Sequence, residues 1–209
     1  MTQTASQAKI KRAAARDERR QQLIDAAKEV FAQKGYHATT VDDITRAAGV
    51  AKGTFYLYFS EKREVFYEVV RAFFQLIKDV GSSVAREVRS ADEFLARAEQ
   101  AALEMLRIFA ANRQLARLAY RESMGLDDRL EQMIRDFYRD IAQVEADNIR
   151  RGIELGMFRP VNPLVCAYAH IGMIERVLLQ SLHRDSGLPA PELVVRELLS
   201  LAYDGLRKR

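Results

Sequence analysis

Apolar residues recur at intervals of three and four along almost the whole chain, and no other feature constrains its fold as strongly. That period gathers apolar side chains on one face of a helix. Alternation with a period of two, the mark of a half-buried strand, is absent. Gly and Pro number only 10 and 4 in 209 residues, so few positions interrupt helices. The expected fold class is all-α, with about nine helices. Apolar residues make up 48% of the chain, enough for a sizeable core. No run approaches the roughly 18 consecutive apolar residues of a membrane span. Met1 to Arg20 is polar and lacks the apolar stretch of a secretory signal. The single Cys166 permits no intrachain disulfide, which fits a reducing compartment, so a cytoplasmic location is expected.

Residues 1–16 are expected to form a flexible basic tail. The first helix should run from about Asp17 to Lys34, with Leu23, Ala26, Ala27, Val30 and Phe31 on one face and Gly35 as its stop. Thr40 with Asp43 three residues on resembles a capping box. A short helix follows and ends at Ala48-Gly49; another runs from about Ala51 to Phe59. A long helix starts near Ser60 or Glu61, with Phe66, Val69, Val70, Phe73, Ile77 and Val80 on its buried stripe. Further helices are expected at about 91–111, with Leu95, Ala98, Ala102, Met105 and Phe109 on one face, and at about 113–123, 127–155, 162–184 and 191–207.

Two short helices joined by a tight Gly-containing turn after a longer helix form a helix-turn-helix, here at 40–59. Ala48 is small enough for the helices to approach, and Gly49 suits the turn. The second short helix is rich in polar and aromatic groups: Lys52, Gly53, Thr54, Tyr56 and Tyr58. Gly53 would cost about 1 kcal/mol inside an ordinary helix, but lets a backbone approach a groove wall. Lys52 and Thr54 can reach base edges, and Tyr56 and Tyr58 can donate to phosphates. Thr40 and Lys62 can serve phosphates as well. Core packing would also account for aromatics here, yet three so close cannot all face one core. That assigns Phe59 inward and the tyrosines outward. Charge agrees: residues 1–63 carry 12 Lys and Arg against 7 Asp and Glu, and the rest carry 21 against 22. A basic head suits double-stranded DNA, although a solubilising tail would show the same balance.

Residues 17–77 resemble the N-terminal domain of the TetR family of bacterial transcriptional regulators. The resemblance is carried by Thr40-Val41-Asp42-Asp43-Ile44, Ala48-Gly49-Val50, Gly53-Thr54, Tyr56, Tyr58-Phe59 and Lys62. It departs at Ala51, where the family usually has a capping Ser, and at Glu61 and Arg63. The resemblance implies a helix-turn-helix DNA-binding domain at 17–63 and a helical ligand-binding and dimerisation domain at 64–209.

For the second domain the last two helices have broad apolar faces. Tyr168, Ile171, Ile174, Val177, Leu178, Leu198 and Leu201 are the expected dimer contacts, although covering their own core would explain them too. A pocket for a small hydrophobic effector, with a fatty-acyl compound as the candidate, is expected around Met105, Phe109, Tyr120, Met133 and Phe137, with Leu106 and Tyr138 near. Arg113, Arg117, Arg121 and Glu122 are candidate polar handles or simply a solvated face. Cys166, His170 and His183 do not have metal-site spacing, and no cofactor is expected. The function expected is a ligand-responsive homodimeric repressor of a palindromic operator. The alternative is a helical enzyme with an appended DNA-binding head, but no catalytic motif is recognisable.

Overall fold

The computed structural model describes residues 2–122, 128–181 and 185–207, and all their side chains except those of 2–6, 8–10, 12 and 118–122. Among the described residues there are nine helices: α1 (Thr2–Lys34), α2 (Val41–Ala47), α3 (Lys52–Tyr56), α4 (Lys62–Ser83), α5 (Ala91–Ala111), α6 (Arg113–Glu122), α7 (Asp128–Glu154), α8 (Pro163–Ser181) and α9 (Pro191–Asp204). One isolated β-bridge joins Phe158 and Arg207. No described helix is long and apolar enough to cross a membrane.

The chain divides into two compact units, Met1–Ala72 and Phe73–Arg209. The division falls inside α4, not at 63/64 as the sequence led us to expect. The reason is that α4 carries one buried stripe through Val65, Phe66, Val69, Val70, Phe73 and Ile77 without a break. α1 also differs from expectation: it begins at Thr2, not near Asp17. Residues 2–16 contain five alanines and neither Gly nor Pro, which favours helix over an irregular tail.

In the first unit the predicted stripe of α1 is buried, with Leu23, Ala27 and Phe31 at most 2% exposed. α2 packs on α1, and α3 on α2. Ile44 of α2 and Phe55 of α3 are completely buried. Phe31 meets the ring of Phe66 edge-on at 5.6 Å, and Phe55 lies 5.5 Å from Phe59. Phe59 is core, as its spacing predicts.

In the second unit the most extensive pairings are α7 with α8 and α5 with α9. α5 turns Phe94 fully inward and leaves Leu95 half-buried. Phe94, Phe158 and Tyr203 form an aromatic cluster with centroids 5.3–5.8 Å apart. The segment after α7 is pinned by two backbone bonds from Met157 and Phe158 to the Gly152 carbonyl and one from Arg159 to that of Leu206. Phe158 therefore lies directly over Gly152. A Cβ at Gly152 would stand 2.2 Å from the Phe158 ring. The Gly152→Ala variant is expected to lose about 1–3 kcal/mol of stability, measured as a lower midpoint in urea unfolding.

Candidate functional site

The recognition element is built from its caps upward. Thr40 stands before α2 in extended conformation, and its hydroxyl accepts the Asp43 N–H at 3.1 Å. The Asp43 carboxylate accepts the Thr40 N–H at 3.0 Å, completing the predicted capping box. Lys34, 2.7 Å away, and then the Thr40 hydroxyl hold the Asp43 carboxyl well below the usual carboxylate range. At the other end of α2, Gly49 takes φ +65°. Its N–H donates to Arg46 O and that of Val50 to Thr45 O, the paired bonds of a Schellman motif. The Gln22 amide of α1 donates to Ala48 O at 2.6 Å and so clasps the turn.

α3 starts at Lys52 with no side-chain cap from Ala51. Lys52, Gly53 and Tyr56 are exposed, Thr54 and Tyr58 half-buried. Among the described residues, no atom beyond the chain neighbours and the helix's own backbone lies within 4 Å of where a Gly53 Cβ would be, so internal packing does not require this glycine. Leu57, beside Tyr56, is 72% exposed. Lys52 pairs with Asp42 at 2.9 Å, and that contact raises the lysine's pKa.

Lys62, offered from sequence as a phosphate contact, has partners within the chain. Its ammonium donates to Tyr36 O at 2.7 Å and Thr39 O at 2.6 Å and lies 4.4 Å from the Tyr36 ring centre. Burial lowers its pKa. The side chain fastens the start of α4 to the α1–α2 loop. The expectation missed this because the partners are carbonyls more than 20 positions away, which no side-chain pattern marks.

The second unit encloses a cavity of about 270 Å³. Met105, Leu106, Phe109, Phe137 and Tyr138, offered from sequence as pocket residues, line it. Met133 does not: it is half-buried but outside the lining. The side chain of Tyr120 lies outside the described residues, as do those of Arg121, Glu122 and His183. The lining also includes Ile171, Ile174, Leu178 and Leu198, which the sequence assigned to a dimer face. Leu178 is 4% exposed within its own chain. The outward apolar residues of α8 and α9 are instead Leu164, Val165, Tyr168, Leu193 and Leu201. Of the residues offered as dimer contacts, Tyr168 and Leu201 are exposed and Val177 is half-buried.

Polar groups interrupt the apolar wall. Glu145 of α7 contacts His170 Nδ1 of α8 at 2.9 Å and accepts from the Asn148 amide at 3.2 Å. The Tyr138 hydroxyl donates to Glu175. Burial, and then Glu145, raise the pKa of Tyr203 well above its ordinary value. Sequence reading passed over these carboxylates, although each lies on its helix's apolar stripe, beside Val144 and Ile174. Arg113 points elsewhere, donating to Ser181 O at 2.9 Å. Among the described residues no group of three or more His, Cys, Asp or Glu could hold a metal ion.

Residues 23–69 match the family model for bacterial regulatory proteins of the tetR family, and residues 91–206 that for the tetracyclin repressor-like C-terminal domain. The chain belongs to the TetR family. It is a transcriptional regulator with a DNA-binding helix-turn-helix. The HTH-type transcriptional repressor KstR2 of Mycobacterium tuberculosis is 28% identical over 196 residues, 91% of this chain and 94% of that protein. The fatty acid metabolism regulator protein of Bacillus subtilis is 30% identical over 138 residues, 65% of this chain and 68% of the relative. The solved structure of the fatty acid degradation regulator FadR from Bacillus halodurans has a TM-score of 0.70 at 25% identity, covering 90% of this chain and 99% of that one. The relatives and the fold are those of regulators rather than enzymes.

Within this TetR-family head, Lys62→Ala leaves two carbonyls without their charged donor. We expect a loss of about 1.5–3 kcal/mol of stability, read by thermal melting without DNA. A lysine that only touched phosphate would leave the melting curve unmoved.

Proposed function

We propose that this regulator is a repressor that binds a palindromic operator as a homodimer and lets go when a small molecule enters the second unit. The observation that carries the reading is the outer surface of α3. Lys52, Gly53 and Tyr56 are exposed there, and no internal packing explains the glycine. Close approach of a groove wall explains it. Lys52, Gly53 and Thr54 read base edges; Thr40, Tyr56 and Tyr58 position the head on phosphates. Lys62 contributes by holding the loop that presents Thr40.

The outward apolar residues of α8 and α9 support a two-fold dimer. Val165 and Leu201, at 65% and 68% exposed, are costly to leave in water together with Tyr168. Two copies of this face form an isologous interface, which sets two recognition helices about 34–36 Å apart on successive major-groove faces. Release follows when the effector binds more tightly to the arrangement of heads that does not fit DNA, since only differential affinity shifts an equilibrium. The mostly apolar cavity supports an effector with an apolar body.

Two measurements check this. At fixed salt, Tyr56→Phe should weaken operator and unrelated DNA alike, whereas Lys52→Ala should cost about 1–3 kcal/mol on the operator and relax base preference. Unchanged affinity in both would remove α3 from the interface. Sedimentation at micromolar concentration should show a dimer that the double variant Val165→Glu, Leu201→Glu converts to monomer. A monomeric parent protein, with and without DNA, would overturn the interface.

A further inference from the structure

The cavity is a binding site on the reading just given, and its lining bears on what occupies it. We propose that the effector is a lipophilic cation, an amine or quaternary ammonium on an alkyl or aryl body, whose charge is met by Glu175 and Glu145. Both carboxylates belong to an otherwise largely apolar lining, and among the described residues no Lys or Arg lines it. Glu175 accepts from the neutral phenol of Tyr138. Glu145 is held by the Asn148 amide and the His170 ring. The phenol hydrogen bond holds the Glu175 carboxylate in place without cancelling its charge. In an apolar wall that charge is costly until an opposite one arrives. A cationic ligand supplies it; an anionic ligand adds repulsion to the cost.

The geometry narrows the shape. The two contacts, Tyr138–Glu175 and Glu145–His170, bridge α7 and α8 as separate rungs. Positions 138 and 145 are two helical turns apart, about 10 Å along α7. A ligand with one charged end meets one rung and lays its body along the apolar wall. Aromatic rings stand beside the Glu175 rung. Phe137 stacks on Phe74 at 4.1 Å and lies 5.5 Å from the Tyr138 ring. Aromatic faces next to a carboxylate are the surroundings that favour onium ions. Of the arginines offered from sequence as polar handles, Arg113 donates to Ser181 O and neither it nor Arg117 lines the cavity, while the side chain of Arg121 lies outside the described residues.

The test compares three ligands with the same ten-carbon chain: decyltrimethylammonium, decanol and decanoate. Each displaces an apolar fluorophore from the full-length protein at pH 7. The cation should bind roughly tenfold more tightly than decanoate. Glu175→Gln should remove most of that preference and leave decanol affinity unchanged. Glu145→Gln, with the same readout, serves if the first variant melts early. Decanoate binding as tightly as the cation, or a preference untouched in both variants, overturns the cationic effector while decanol binding keeps the cavity as a site. Failure of all three to bind overturns the effector cavity itself.

Discussion

Two helices of seven and five residues cannot hold their shape in water by their own hydrogen bonds. The head exists because burial does that work for them. Ile44 and Phe55 are removed from solvent, and the backbone between them is closed by specific partners: the capping box at Thr40, the paired bonds around Gly49 and the Gln22 amide on Ala48 O. Lys62 adds a clasp from the far side by gathering the carbonyls before α2. The side chains left facing outward on α3 are thus presented by a frame whose polar groups are already satisfied.

The second unit solves a different problem. Its helices bury a continuous aromatic and aliphatic core around Phe94, Ile149 and Phe158, tight enough that Gly152 has no room for a methyl group. Close by, the same helices leave a cavity and admit carboxylates into its wall. A core that packs one region to contact distance and leaves another open has room for a guest in the open part. The polar groups there are fixed in advance by Tyr138, Asn148 and His170, so a guest meets oriented acceptors rather than mobile ones.

Much of this was legible in the sequence, for physical reasons that differ by element. α5 falls where periodicity places it because Ser90 caps it and Asn112 ends it. The helix-turn-helix was legible because its turn needs Gly49, a small Ala48 and a cap at fixed offsets. Which apolar residues of α8 face outward was not legible, because α8 is apolar on more than one side. Ile171, Ile174 and Leu178 turn to the cavity or the core, while Val165 and Tyr168 turn to solvent, and spacing alone does not say which side is inside. Met133 was misplaced for a related reason, since a position beside a buried stripe reads like one on it. The carbonyl contacts of Lys62 were not legible because a lysine after a short helix looks the same in sequence whether it reaches for a phosphate or a carbonyl.

The ion pair between Lys52 and Asp42 has a consequence for discrimination. Both groups are more than half exposed, so the pair adds little to stability. Its effect is comparative. In the proposed DNA contact, any acceptor for the Lys52 ammonium would have to displace a carboxylate that is already 2.9 Å away. A stray phosphate offers one anionic oxygen in exchange for another, close to an even trade. A guanine edge, with two acceptors side by side, offers better geometry. In that proposed contact Asp42 competes with each acceptor that Lys52 meets, and the guanine edge keeps its geometric advantage over a single phosphate oxygen.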